Sequence, residues 1–160
     1  MPLQFAVIAL VLLAHPARTW GLRDTHGRIG EWTLRVRSDQ FSGGRTCRLS
    51  AKHVMYQRGA LVFRVSRQSS TLTAVYRIDG GAARAASADA LELARMGFTI
   101  YQDDLANPSG GVVRIPVRRL QGAKSVAIEV WREPMTFNIA GLDAALAAAS
   151  KAGCSQDAFN

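Results

Sequence analysis

Lysine is nearly missing from this sequence: of 20 Lys and Arg residues only Lys52, Lys124 and Lys151 are lysines, set against 12 Asp and Glu. The net charge of +8 is therefore carried by arginine, whose planar guanidinium makes bidentate contacts with phosphate, sulfate and carboxylate groups. Histidine is as scarce, at three residues, and cysteine scarcer, at two. His15 falls in the apolar N-terminal stretch, leaving His26 and His53 as general-base candidates. Neither has a sequence neighbour that would orient a base or supply a second metal ligand. His26 reads as part of a solvated loop and His53 as part of a strand beside Lys52.

Other absences narrow the function classes. Asp103 and Asp104 are adjacent, so on a strand they point to opposite faces and do not converge on one ion. Gly80-Gly81 and Gly110-Gly111 lack the strand-to-helix context and the Lys-Ser/Thr pair of a phosphate-binding loop. No serine lies in a nucleophile elbow with Asp and His in a supported order. Catalysis, a metal and a cofactor are therefore not expected; a hydrolase assembled only in the fold is the residual enzymatic alternative. Aromatic residues fall mainly on the dry faces of the strands, which disfavours nucleic acid as a partner, because a single-strand surface needs exposed rings for stacking.

The apolar run from Met1 to Ala14 is shorter than the roughly 20 residues a helix needs to span a bilayer, so no stable membrane span is expected. Its length suits the core of a signal peptide. Residues 1–20 are the expected leader and 21–160 a single β-rich domain, periplasmic or secreted, with 48% hydrophobic residues to build one core. Cys47 and Cys154 are compatible with one disulfide in an oxidising compartment and with two buried thiols in a reducing one.

After the leader, apolar residues recur at every second position, the period of a strand with one dry face. Trp32, Leu34 and Val36 make one such face, and Leu61, Phe63 and Val65 another. Ala74, Tyr76 and Ile78, then Val113, Ile115 and Val117, then Val126, Ile128 and Val130 repeat the pattern. Turn signals separate the runs, among them Gln57-Arg58-Gly59, Asp79-Gly80-Gly81 and Gln121-Gly122. The fold class expected is mainly β, an antiparallel sandwich, immunoglobulin-like or related, with one or two short helices. One helix is predicted over 88–95, capped by Ser87, with Asp89 at its positive end and Gly97 past its stop. The other covers 141–151, where Leu142, Ala145, Leu146 and Ala149 share a face and Gly153 suits a left-handed cap directly before Cys154.

Arg35, Arg37, Arg64, Arg77, Arg114 and Arg118 stand out of phase with the apolar positions of their segments and are predicted to point outward. On neighbouring strands they would form an anion-binding face, whereas an ordinary solvated face is the plainer reading.

The stretch from Phe137 through Asn138-Ile139-Ala140-Gly141-Leu142-Asp143 to Gly153-Cys154 resembles the ending of the invasion-associated locus B family. In order along the chain, the resemblance takes in the leader, Trp32 in a first strand and Thr46-Cys47-Arg48-Leu49. It continues through Ile78-Asp79-Gly80-Gly81 and the stretch from Gly111 to Val117. It implies an exported bacterial β-sandwich protein, with some relatives linked to host-cell invasion, a Cys47–Cys154 pairing and no catalytic residues to transfer. Further cysteines sometimes found in such proteins are absent here. The function expected is non-enzymatic binding of an anionic envelope or host-surface component through the arginine face. The alternative is a periplasmic module that binds a protein partner, as an inhibitor or assembly factor, through an apolar patch or a sheet edge.

Overall fold

The computed structural model describes residues 25–39, 41, 43–66, 69–100, 110–130 and 133–159. The expected leader and the Asp103-Asp104 pair lie outside them.

Strand β1 (Thr25–Ile29), β2 (Trp32–Ser38), β3 (Arg45–Ala51), β4 (Val54–Gln57) and β5 (Ala60–Val65) run as an antiparallel meander, and β8 (Gly111–Pro116) returns to pair with β5. Together they make a six-stranded sheet. The second sheet has four strands in the order β10-β9-β6-β7, built from β6 (Val75–Ile78), β7 (Arg84–Ala85), β9 (Ser125–Val130) and β10 (Glu133–Asn138). The fold is thus the mainly-β antiparallel sandwich that the alternation predicts. No helix among the described residues is long and apolar enough to cross a membrane.

The dry faces meet in one core. Trp32, Leu34, Val36, Leu61, Phe63, Val65, Tyr76, Val113, Ile115, Val126 and Ile128 are all buried in it, as the period of two requires. Phe63 of the larger sheet meets Phe137 of the smaller edge-on, with centroids 5.1 Å apart. Val117 departs from expectation: β8 ends at Pro116, and Val117, after donating its amide to the Gly59 carbonyl at 2.9 Å, starts a 3₁₀ turn, Val117–Arg119, that the Leu120 amide closes onto the Val117 carbonyl. The β4–β5 hairpin turns on Arg58-Gly59, both with positive φ, as two-residue hairpin connections demand.

Helix α1 spans Ala90–Arg95 and helix α2 Leu142–Lys151. The Ser87 cap predicted for the first does not form: a 3₁₀ turn over Ala86–Asp89 precedes α1, and the Ser87 side chain stays exposed without capping it. Asp89 turns inward instead. Its carboxylate is 1% exposed and accepts hydrogen bonds from the Tyr76 hydroxyl at 2.9 Å, Arg84 at 3.1 Å and Arg119 at 3.2 Å. A buried charge is tolerated only when paired in this way, and the pairing ties the small sheet to the turn that follows β8. Burial and the neighbouring carboxylate push the Tyr76 hydroxyl up to about 12, so it remains a donor.

The second helix ends as predicted and with more consequence. Gly153 is left-handed, its amide donates to the Ser150 carbonyl, and the Cys154 amide donates to the Ala149 carbonyl. This is the Schellman arrangement. It turns the chain back toward β3, where Cys154 is bonded to Cys47 across a Cα separation of 6.0 Å. Arg45 of β3 donates to the Ala152 carbonyl at 2.6 Å, a cation at the negative end of the helix.

The bond joins positions 107 residues apart, for which the chain-entropy account gives on the order of 4–5 kcal/mol. Reduction, or Cys154→Ser, should lower the stability measured by urea unfolding by about 2–5 kcal/mol, with the unfolding slope increased in the reduced chain because its denatured state expands. The turn after β6 supplies a second expectation. The Asp79 carboxylate is held below its ordinary 3.8 mainly by the Ser125 amide, with the Lys124 amide and Ser125 hydroxyl adding to it. Its stabilisation is therefore complete above 3.8 and lost as pH falls through the lower folded value. Unfolding midpoints of the native chain and of Asp79→Asn should differ at neutral pH and converge in acid.

Candidate anion-binding site

The six strands of the larger sheet contain seven arginines and no Asp or Glu. Arg45 alone shares the inward parity of Cys47 and Leu49. Arg28, Arg35, Arg37, Arg48, Arg64 and Arg114 take the outward positions, opposite in phase to the core residues beside them.

The outer face is not equally open along its width. Helix α1 and the segment after it cross the β5–β8 end, where Ala60 on the outer side joins Leu93, Phe98 and Ile100 in a small second core. Arg114 lies beneath this cover, its guanidinium 5.0 Å from the centre of the Phe98 ring, a cation–π contact. Burial holds its pKa below the usual arginine value. The outward exposure predicted for Arg114 is thus not found, because a covering element lies over its strand.

The other predicted positions divide. Arg35, Arg37 and Arg64 stand exposed on the open part of the face. Arg77 belongs to β6 in the other sheet and donates to the Gly81 carbonyl at 3.2 Å. Arg118 sits on the 3₁₀ turn after β8 in a bidentate ion pair with Glu92, which holds the carboxyl below its ordinary range. The six predicted arginines therefore do not form one face.

Two further arginines, beyond the six predicted from the sequence, belong there instead. Arg48 of β3 lies directly opposite Arg35 of β2, and Arg28 of β1 opposite Thr33 of β2. His26 pairs with Arg35 from the other side, so His26, Arg35 and Arg48 form one row across three strands; His26 is in a strand, not the loop expected for it. Arg28 donates to the Gly30 carbonyl at 3.0 Å. Among the described residues, no carboxylate or other acceptor pairs with the side chains of Arg35, Arg48 or Arg64.

Between Arg48 and Arg64 the face dips into a hollow of about 170 Å³, walled by Ser50 and His53 and floored by Met55 and Val62. His53 stands on the β3–β4 turn with φ 60°, not within a strand, because the two-residue connection from Ala51 to Val54 needs positive φ. Its ring makes no hydrogen bond to Ser50 or to a carboxylate among the described residues. No cluster of three metal-ligating side chains occurs among them either. Compared with known protein families, with curated proteins and with solved structures, the chain matches none.

Like charges directly opposite on neighbouring strands destabilise a sheet by a fraction of a kcal/mol. Arg35→Glu should therefore stabilise the fold by about 0.2–1 kcal/mol through the new pair with Arg48. Thermal unfolding followed by circular dichroism would measure the gain.

Proposed function

We propose that the chain is an exported, non-enzymatic binding protein that takes an anionic component of the bacterial envelope or a host surface onto the outer face of its larger sheet. The observation that carries this reading is the six-stranded sheet with seven arginines and no acidic residue. An ordinary solvated face mixes signs, since interspersed carboxylates relieve repulsion at no cost to solubility. This face keeps Arg35 and Arg48 opposed and leaves them without partners, an arrangement favourable only when an anion bridges them.

The disulfide supports an oxidising compartment, and the leader-like N-terminus and the resemblance to the invasion-associated locus B family agree with periplasmic or secreted placement. A protein-binding role has one observation in its favour. Strand β10 is the edge of the smaller sheet, and beside it Met135 and Phe137 border a hollow of about 360 Å³.

Salt separates the two. Binding of a sulfated or phosphorylated polymer to the arginine face should weaken steeply between low and physiological ionic strength. Replacing Arg35, Arg48 and Arg64 together by Gln should lower affinity on the order of 100-fold at low salt, with circular dichroism unchanged. Arg77→Gln, on the other sheet, should leave it unaltered. Binding that ignores salt and these substitutions would refute the charged face and favour β10.

A further inference from the structure

Building on the arginine-face reading, we infer that the hollow between Arg48 and Arg64 seats a single tetrahedral oxyanion, a phosphate or sulfate monoester, of the ligand that lies across the face. Its size points there first. About 170 Å³ falls below the roughly 300–1,000 Å³ of sites that enclose a whole small molecule. It is several times the ~30 Å³ share of one water, which suits one polyatomic ion.

The chemistry of the walls points the same way. Arg48 comes from β3 and Arg64 from β5, so the two cations flank β4 from either side. In register, Ser50, Met55 and Val62 lie side by side across the three strands. Arg48 stands two residues from that row on β3, and Arg64 two residues from it at the opposite end on β5. Both arginines thus line the same hollow, from opposite corners. A planar carboxylate is satisfied by one guanidinium fork, whereas a monoester of phosphate or sulfate presents three free oxygens in three directions and uses both forks. The Ser50 hydroxyl and the His53 ring supply further polar groups at the wall.

The floor strengthens the contact. Val62 is 6% exposed and Met55 half-buried, so the anion would sit over apolar atoms, where charge-assisted hydrogen bonds are stronger than in open water. Neither arginine surrenders an internal ion pair to bind, because neither has one among the described residues.

The test titrates the full mature chain with inorganic phosphate, sulfate and acetate at low ionic strength, following backbone amides by two-dimensional NMR. Phosphate and sulfate should move Ser50, His53, Met55 and Val62 above all others, and acetate should bind distinctly more weakly. Arg48→Gln and Arg64→Gln should each weaken phosphate about tenfold or more, while Arg35→Gln changes it less than twofold and the spectrum stays folded throughout. Shifts spread evenly over every arginine, acetate equal to phosphate, or Arg35→Gln as damaging as Arg48→Gln would each overturn the assignment.

A sulfated oligosaccharide and vesicles containing phosphatidic acid then distinguish the source of the group. Arg48- and Arg64-dependent binding of either supports the hollow and names the source, and dependence in neither overturns it. The broader reading fails separately: if Arg35→Gln weakens polymer binding while Arg48→Gln and Arg64→Gln leave phosphate untouched, the face stands and the hollow falls. If the native chain binds no polyanion, the face itself falls.

Discussion

The sandwich is built from sheets of unequal width, and the rest of the structure follows from covering the difference. Two extra strands add about 10 Å, which is close to the diameter of one α-helix with its side chains, ~10–12 Å. Helix α2 fills that place on the inner side. Leu142, Ala145 and Ala149 join Trp32, Leu34 and Cys47 in the core, and the Trp32 indole donates to the Ala140 carbonyl at 3.1 Å just before the helix. Phe159, past the helix, meets Tyr56 edge-on at 4.7 Å. An alanine face buries little area by itself, and here the disulfide at Cys154 keeps the helix seated. On the outer side α1 covers only the β5–β8 end. Among the described residues no element covers the β1–β4 part of that face, and there the arginines stand.

Much of this frame is legible in the sequence because it depends on period and local chemistry. Trp32, Leu34 and Val36 announce a dry face at period two, and Leu142, Ala145 and Ala149 a helix at period 3.6. Gly153 before Cys154 marks both the end of α2 and the turn that aims the cysteine. Short strands without a long alternating run were hidden: β4 has only four residues and β7 two, and both exist because their neighbours supply the ladder. Ser87 misled for a related reason. Its capping value is local, and the tertiary demand of Asp89 for Tyr76, Arg84 and Arg119 decided how that helix begins.

The site was half legible. Parity along a strand assigns Arg35, Arg37 and Arg64 to the wet side, but parity says nothing about which sheet a strand joins or what lies over it. Arg77 and Arg114 were lost to those two unknowns. Arg48 is harder to see because its strand, with Thr46 and Ser50 on one side and Cys47 and Leu49 on the other, carries only two buried apolar positions to mark its dry face. A different signal finds it: from Gln40 to Ile78 the chain has no Asp or Glu at all. That stretch supplies β3, β4 and β5, three adjacent strands of one sheet. Charge counted along the segment, instead of residue by residue, would have pointed to that part of the sheet.

The arginines of this protein are of two kinds, and the contrast is what the proposed binding role rests on. Where arginine serves the fold, it has company: Arg84 and Arg119 hold Asp89, Arg118 holds Glu92, and Arg45 caps α2. The chain thus places a carboxylate or carbonyl opposite a guanidinium where structure needs one. Across β1, β2 and β3 it places His26, Arg35 and Arg48 in one row instead, with no carboxylate among them. Solubility alone needs no such bias, because mixed charges serve it as well and repel less. An unrelieved row of cations costs the free protein a little stability at each opposed pair. Under the proposed reading, an anion spanning the row would recover that cost, and binding would stabilise the sheet.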